Sequence, residues 1–206
     1  DPAKLDIEEL LYAASLENDA AKKEAIYKKT AELYDKDYRA YNNLAALAFE
    51  KGDDATAESY LERALRVDAK AQEPYANKAL ISLQKGKLEE AEGHLSNAVN
   101  ANGFNKVLGN LDIARGNYSR AADELKGDAC NSAALALLLA KDYDAAKKTL
   151  KSIKNPDAMT SYLHAIVSAR QGNSYAAGSY LKEALQKDPS LAGYADKDLE
   201  FAKINR

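Results

Sequence analysis

The 206-residue chain has a single cysteine, Cys130, so it can form neither an internal disulfide nor a cysteine-based zinc site. That usage fits a reducing cytosol and equally a periplasmic protein without disulfides. Histidine is almost as scarce. His94 and His164 are the only two, with no HExxH spacing and no second ligand four residues on. Neither a GxGxxG nor a P-loop pattern occurs, so no cofactor is expected. Four prolines and the lack of any long Ser/Gly tract argue against disorder. No apolar run approaches the ~18 residues that a bilayer span needs, so no direct membrane insertion is expected of this segment. Charge of one sign is missing too. With 29 Lys+Arg against 32 Asp+Glu, the formal net charge of −3 exerts no long-range pull on nucleic acid or an anionic membrane. An initial Met is also absent; the chain starts Asp1-Pro2, as a piece of a longer protein would, with any signal peptide, anchor or partner domain lying outside it.

What is present is a repeated helical pattern. In Tyr41 to Asp68, YNNLAALAFEKGDDATAESYLERALRVD, two helical stretches flank the turn Lys51-Gly52-Asp53-Asp54. Tyr41, Leu44, Ala45, Ala48 and Phe49 share one face of the first, and Ala57, Tyr60, Leu61, Ala64, Leu65 and Val67 do so on the second. Small Ala45 and Ala57 let two helices approach, while Tyr41, Leu44 and Leu61 fill the space around them. Thirty-four residues on, YANKALISLQKGKLEEAEGHLSNAVNAN repeats it: Tyr75, Ala79, Gly86, Ala91, Leu95 and Ala98 stand where Tyr41, Ala45, Gly52, Ala57, Leu61 and Ala64 stood.

Residues 5–35 read as a degenerate first pair, with Ile7, Leu10, Leu11 and Ala14 on one stripe and Asn18 or Asp19 able to cap the second helix. Residues 38–71 and 72–105 are well-formed repeats, and Pro74 suits the start of a first helix. Residues 106–127 are shortened, because Gly116 follows Gly86 by 30 residues instead of 34. In 128–156, Lys141 occupies the glycine position of the turn, where a left-handed backbone costs a side chain about 1 kcal/mol that glycine avoids. Residues 157–189 return to full form around Ala165, Gly172, Ala177, Leu181 and Ala184. Residues 190–204 predict one last amphipathic helix, with Leu191, Tyr194, Leu199, Phe201, Ala202 and Ile204, as a polar outer cap.

A helix-pair repeat of about 34 residues in this aromatic-small-Gly-Ala-Leu-Ala order resembles the tetratricopeptide repeat. The resemblance covers nearly the whole chain and is most specific over 38–105. It implies an all-α, right-handed superhelical solenoid of antiparallel helix pairs with a C-terminal capping helix, forming a single domain over 1–206. Twelve or thirteen helices and no strands are expected, with the first helix of each pair lining a concave groove. It also implies a non-catalytic scaffold that binds a protein or peptide partner. More narrowly, YRAYNNLAALAFEKGD, NSAALALLLAKDYDAA and the terminal DLEFAK are similar to the repeat segment of larger cell-envelope proteins of Gram-negative anaerobes. That narrower likeness implies an exported module on the periplasmic side, associated with the outer membrane; a cytoplasmic location is the alternative. Some members clamp the carboxylates of a chaperone tail with Lys and Asn on adjacent first helices. Here Asn42 and Glu73 replace those lysines, and Glu73 would repel a carboxylate.

By helical geometry the groove-facing residues are Arg39, Asn42, Ala46, Phe49 and Glu50, then Glu73, Ala76, Leu80, Leu83 and Gln84. Further along they are Asn110 and Ile113; Asn131, Leu135 and Leu138; Tyr162 and Ile166. Together they would offer a peptide an apolar floor with Asn donors. The plainer account has Phe49, Leu80, Leu83, Leu135 and Leu138 packing only against the next repeat. The run Leu135 to Leu139 is apolar all round, so one side must be covered, by a neighbour or by a partner. Asn43 and Asn77 recur at one repeat offset and fit a structural bond to backbone between helices. Tyr41, Tyr75, Tyr118 and Tyr143 fall in packing positions, and Tyr162 is the one that faces the groove. Cys130 starts a helix, where a lowered pKa is conceivable, but with no histidine near in sequence it reads as a packing residue. A structural spacer or homodimerisation module, burying the 135–139 region and the terminal helix against a second copy, is the alternative function; a regulator of a cytosolic enzyme is a third.

Overall fold

Five of the helix pairs are joined by a turn of the same backbone construction. In the computed structural model, which describes residues 5–202, α3 (Arg39–Glu50) and α4 (Asp54–Val67) are separated by Lys51, Gly52 and Asp53. Gly52 takes φ 76°, its N–H donates to the Phe49 carbonyl at 2.9 Å, and the Asp53 N–H reaches back to the Ala48 carbonyl at 2.9 Å. The Asp53 side chain then accepts from the Thr56 N–H at 3.1 Å and caps α4. The left-handed residue satisfies the last carbonyls of one helix and the cap satisfies the first N–H groups of the next. The same three-residue link joins α5 (Gln72–Gln84) to α6 (Leu88–Leu95), α7 (Phe104–Ala114) to α8 (Tyr118–Glu124), α9 (Asn131–Leu139) to α10 (Tyr143–Ser152), and α11 (Ala158–Arg170) to α12 (Ser174–Lys187). Asp142 and Asn173 cap α10 and α12 just as Asp53 caps α4.

Lys141 holds this turn position at φ 67°, the single non-glycine residue with positive φ among those described. Lys141→Gly is therefore expected to raise stability by up to about 1 kcal/mol, less the added freedom of the unfolded chain. A urea titration reads it, and an unchanged or lowered midpoint would count against a strained Lys141.

Counting from the turn residue gives the packing. Seven residues before it stand Ala45, Ala79, Gly109, Ala134 and Ala165; five after it, Ala57, Ala91, Ala121, Ala146 and Ala177; nine after it, Leu61, Leu95, Leu125, Leu150 and Leu181. All fifteen are buried. The small pair brings the two helices together and the leucine fills the space beside it. Tyr41 is buried as its spacing predicts, with its hydroxyl on the Ala31 carbonyl at 3.3 Å and the Arg63 guanidinium 4.5 Å over its ring.

Contacts divide the chain into two compact units, one through Val107 and one from Leu108, with the division falling inside α7. In the N-terminal unit α1 (Ile7–Leu16) pairs with α2 (Ala20–Leu33), α3 with α4 and α5 with α6, and α2 and α4 each pack on the following first helix. A capping box between Asp6 and Glu9 starts α1, and of the two candidate caps for α2 it is Asp19 that accepts from Ala21 and Lys22. In the C-terminal unit α9 pairs with α10 and α11 with α12, and α11 also packs against α9 and α10. The described residues contain 13 α-helices and no strand.

Two expected helices are shorter than their spacing predicts. The second helix of 72–105 ends at Leu95, although Ala98 and Ala101 beyond it are buried. The reason is local: Ser96 Oγ and Asn97 Nδ2 both bond the Gly93 carbonyl, at 2.7 and 3.2 Å, competing with the helical N–H donors next to a poor helix former. The predicted helix over 190–204 is instead a 3₁₀ turn at Pro189–Leu191, the one-turn α13 (Ala192–Ala195), and a second 3₁₀ turn at Leu199–Phe201. Asp198 interrupts it by accepting from the Glu200 N–H at 3.0 Å, and Gly193 lowers helix propensity inside it. Leu191, Ala195 and Phe201 face the core, whereas Tyr194 and Leu199 face solvent. Ile204 lies outside the described residues.

Candidate functional site

In the N-terminal unit the first helices α3 and α5 lie side by side, and their polar side chains bond one another. Tyr38 Oη donates to Glu73 Oε2 at 2.8 Å, and Asn77 Nδ2 donates to Asn42 Oδ1 at 2.8 Å. Asn77, expected with Asn43 to bond backbone between helices, thus bonds the side chain of Asn42 across the repeat. Burial and then the Glu73 carboxylate push the Tyr38 hydroxyl up to about 12, so it stays a donor at any physiological pH. Arg39 is held by Asp37, with Nη2 2.9 Å from Oδ2, and by Glu8 at 2.7 Å; its guanidinium keeps the Asp37 carboxyl below the usual range. Of the other candidates on this face, Ala76 is buried, and Phe49 packs on the cluster of Ala45, Ala48, Ala57, Leu61 and Ile81. Ala46, Leu80 and Leu83 are half-buried; Glu50 and Gln84 are exposed.

In the C-terminal unit the corresponding face is apolar. Asn131 is consumed at its edge: Nδ2 donates to Asp157 Oδ1 and Oδ1 accepts from Thr160 Oγ1, both at 3.0 Å, which ties the start of α9 to the start of α11. Leu138 is buried, and Leu135 and Ile166 are half-buried on the cluster that contains it with Leu150, Leu163 and Val167. Ile113 packs on Ala121, Leu125, Ala133 and Ala136, and Asn110 is half-buried. Cys130, also half-buried, packs on that same cluster, as a packing residue would.

Tyr162 is not a groove residue. It is 8 % exposed, its hydroxyl donates to Asp198 Oδ2 at 2.9 Å, and its ring meets Phe201 edge-on at 5.4 Å. It docks the C-terminal segment.

Two exposed residues of this face lie outside the groove set drawn from the sequence, although Leu139 belongs to the apolar run 135–139. Leu139, 37 % exposed, and Met159, 42 % exposed, stand on α9 and α11. The turn offsets could have found both. Met159 precedes Gly172 by 13 residues, as Arg39 precedes Gly52 and Glu73 precedes Gly86. Leu139 precedes Lys141 by two, as Glu50 and Gln84 precede their glycines.

Bonds 27 residues apart recur between repeats: Lys51 to Glu24 at 2.5 Å, Lys85 to Glu58 at 2.6 Å and Gln171 to Asp144 at 2.8 Å. Lys28 and then Lys51 pull Glu24 down to about 2. These exposed bonds each contribute little, about 0–1 kcal/mol, but they favour one register of repeat on repeat. Asp112 is a buried carboxylate whose Oδ1 accepts from Asn117 Nδ2 at 3.1 Å; its Oδ2 is ion-paired with Arg120 Nε at 3.1 Å but accepts no hydrogen bond. Among the described residues no group of His, Cys, Asp and Glu could hold a metal ion, and no helix is long and apolar enough to cross a membrane. A polar cavity of about 180 Å³ lies among Glu58, Glu62, Lys78, Ile81, Lys87 and Glu90, smaller than an ordinary ligand site of ~300 Å³ or more, and Glu58 and Glu90 within it are ion-paired.

The profile of the tetratricopeptide repeat matches residues 38–70. No curated protein sequence is significantly similar to the chain. Solved structures are. A tetratricopeptide repeat protein from Parabacteroides merdae is 17% identical with a TM-score of 0.62, covering 90% of this chain and 80% of that one. The APC/C hetero-tetramer Cut9–Hcn1 is 18% identical with a TM-score of 0.75, over 93% of this chain and 42% of that one. YrrB, a TPR protein with an unusual peptide-binding site, is 21% identical with a TM-score of 0.53, over 84% and 98%. Residues 38–70 match the tetratricopeptide repeat, the turn-and-packing frame recurs five times, and the chain shares the fold of tetratricopeptide-repeat proteins over most of its length.

Proposed function

We propose that the chain is a protein-interaction scaffold that takes a protein or peptide partner on the first helices of its repeats. The observation that carries this reading is the apolar stripe of the C-terminal unit. Leu135 and Leu139 on α9, and Met159 and Ile166 on α11, share the first-helix face by register, and Leu139 and Met159 are open to water. A large exposed aliphatic side chain on each of two adjacent helices is what an apolar anchor from a partner would cover. YrrB, with its peptide-binding site, supports the same class of role. The periplasmic side of the envelope, as a module of a larger protein, is the location this reading adopts from the sequence resemblance alone.

The test is a pull-down from fractionated envelope with the wild type and a Leu139→Asp/Met159→Asp variant. Both side chains are more than one-third exposed, so the variant is expected to keep its circular dichroism and lose the partner by at least about tenfold. Equal retention would refute the apolar face as the contact. The exposure of Tyr194 and Leu199, 72 and 87 %, favours a second reading, a homodimer closed by the C-terminal segment. Sedimentation at low micromolar concentration decides it: a monomer excludes it.

A further inference from the structure

Helix α11 carries a histidine at the point where three helices meet. His164 is buried at 9 % exposure, and its ring stacks on Tyr180 of α12 at 4.6 Å with 14° between planes. From α10 come the charges of Lys147 and Lys151, and from α12 that of Glu183. Glu183 is already engaged, by Lys187 Nζ at 2.8 Å and by Ser161 Oγ at 3.2 Å. Helix α9, the other element packed on α11, has no charged residue in NSAALALLL. At the C-terminal segment, Asp198 receives the Tyr162 hydroxyl and Glu200 pairs with Arg170. An imidazolium at position 164 would therefore lose its water, face two lysines, and find its one nearby carboxylate shared.

We propose that His164 is an acid-sensitive latch: protonation in mild acid loosens the packing of α11 against α10 and α12. Burial first, then Lys151, hold the ring below its ordinary value of 6.5, with Glu183 opposing. The sign follows from linkage. A histidine whose folded pKa lies below its unfolded one stabilises the fold fully above pH 6.5, and that contribution fades as pH falls below it. His94, the only other histidine, is partly exposed on α6 with Glu90 Oε1 3.8 Å away. Burial and Lys78 lower it too, so it supplies the internal comparison in the N-terminal unit.

Amide hydrogen exchange on the whole chain, corrected for intrinsic rates, compares pH 7.5 with pH 5.5, where ordinary carboxylates remain ionised. Protection in α10–α12 is expected to fall toward about tenfold, the limit one pH unit below 6.5, and to fall less in α3–α6. In His164→Phe the pH effect on α10–α12 should vanish. In Lys147→Gln/Lys151→Gln, which keeps the ring, the effect should shrink. Three results would overturn the latch: wild-type protection that does not change with pH, a pH effect that survives His164→Phe in full, or a His164 ring that titrates at or above 6.5 by NMR. Should His164→Phe fail to fold, the lysine pair decides, and an undiminished effect there rejects the proposal.

Discussion

Phe201→Ala lowers the stability of the C-terminal unit by about 3–5 kcal/mol, the usual result of truncating a fully buried phenylalanine. Phe201 is 1 % exposed and is the largest fully buried side chain among the described residues. It lies in one cluster with Tyr162, Ala165, Leu181, Ala184, Leu191 and Ala195, so its ring joins the last turns to both α11 and α12. Two polar ties fasten the same segment, from the Tyr162 hydroxyl to Asp198 and from Arg170 to Glu200. Urea unfolding followed by circular dichroism measures the loss. If the segment detaches on its own, the loss levels off at the cost of undocking, and hydrogen exchange shows 189–202 unprotected while α11 and α12 stay closed. A change under about 1 kcal/mol would remove Phe201 from the core. Tyr162→Phe, which deletes one hydrogen bond and keeps the ring, costs only about 0.5–1.5 kcal/mol. Tyr162→Ala behaves as a core truncation and is the wrong variant for probing partner binding.

Gly109→Ala is the second large effect, a net destabilisation of about 1–2 kcal/mol. A Cβ on Gly109 would sit 2.5 Å from Leu125 Cγ and 2.9 Å from both its Cδ atoms. Leu125 is 1 % exposed and wedged among Ala121, Ala133 and Ala136, so it cannot swing aside. Overpacking of this kind costs about 1–3 kcal/mol, against which the better helix propensity of alanine returns at most about 1. The four equivalent positions hold alanine; here the Leu125 side chain, at the C-cap of α8, occupies the space a Cβ would need. A double-mutant cycle checks this. Gly109→Ala in a Leu125→Ala background should be neutral or stabilising, because the new methyl enters the vacated space. A gain in stability from Gly109→Ala alone would contradict the close approach.

The scaffold reading depends on which first-helix residues remain open once the repeats are stacked. Of the candidates chosen by helical register, Ala76, Leu138 and Tyr162 are buried, and Arg39, Asn42, Glu73 and Asn131 are bonded to neighbouring side chains. Leu139 and Met159, which that choice omitted, are the exposed apolar pair. Register alone ranks residues by direction. It carries no information on what the next helix places opposite them.

The linear pattern determined the helix pairs, their turns and their packing positions, because each rests on interactions within a dozen residues. Gly52, Gly86, Gly116 and Gly172 take the left-handed backbone that ends a first helix, and Lys141 is forced to do the same because the turn requires it. The small residue seven before and the alanine five after follow from helix geometry in a hairpin, as does the cap at Asp19. The folded protein alone decided the rest. The Asn42–Asn77 and Tyr38–Glu73 bonds span 35 residues, the Lys–Glu bridges 27, and the Tyr162–Asp198 bond that docks the terminal turns 36. Such bonds form only after repeats have stacked and brought distant polar groups together, and no local periodicity encodes which groups those will be.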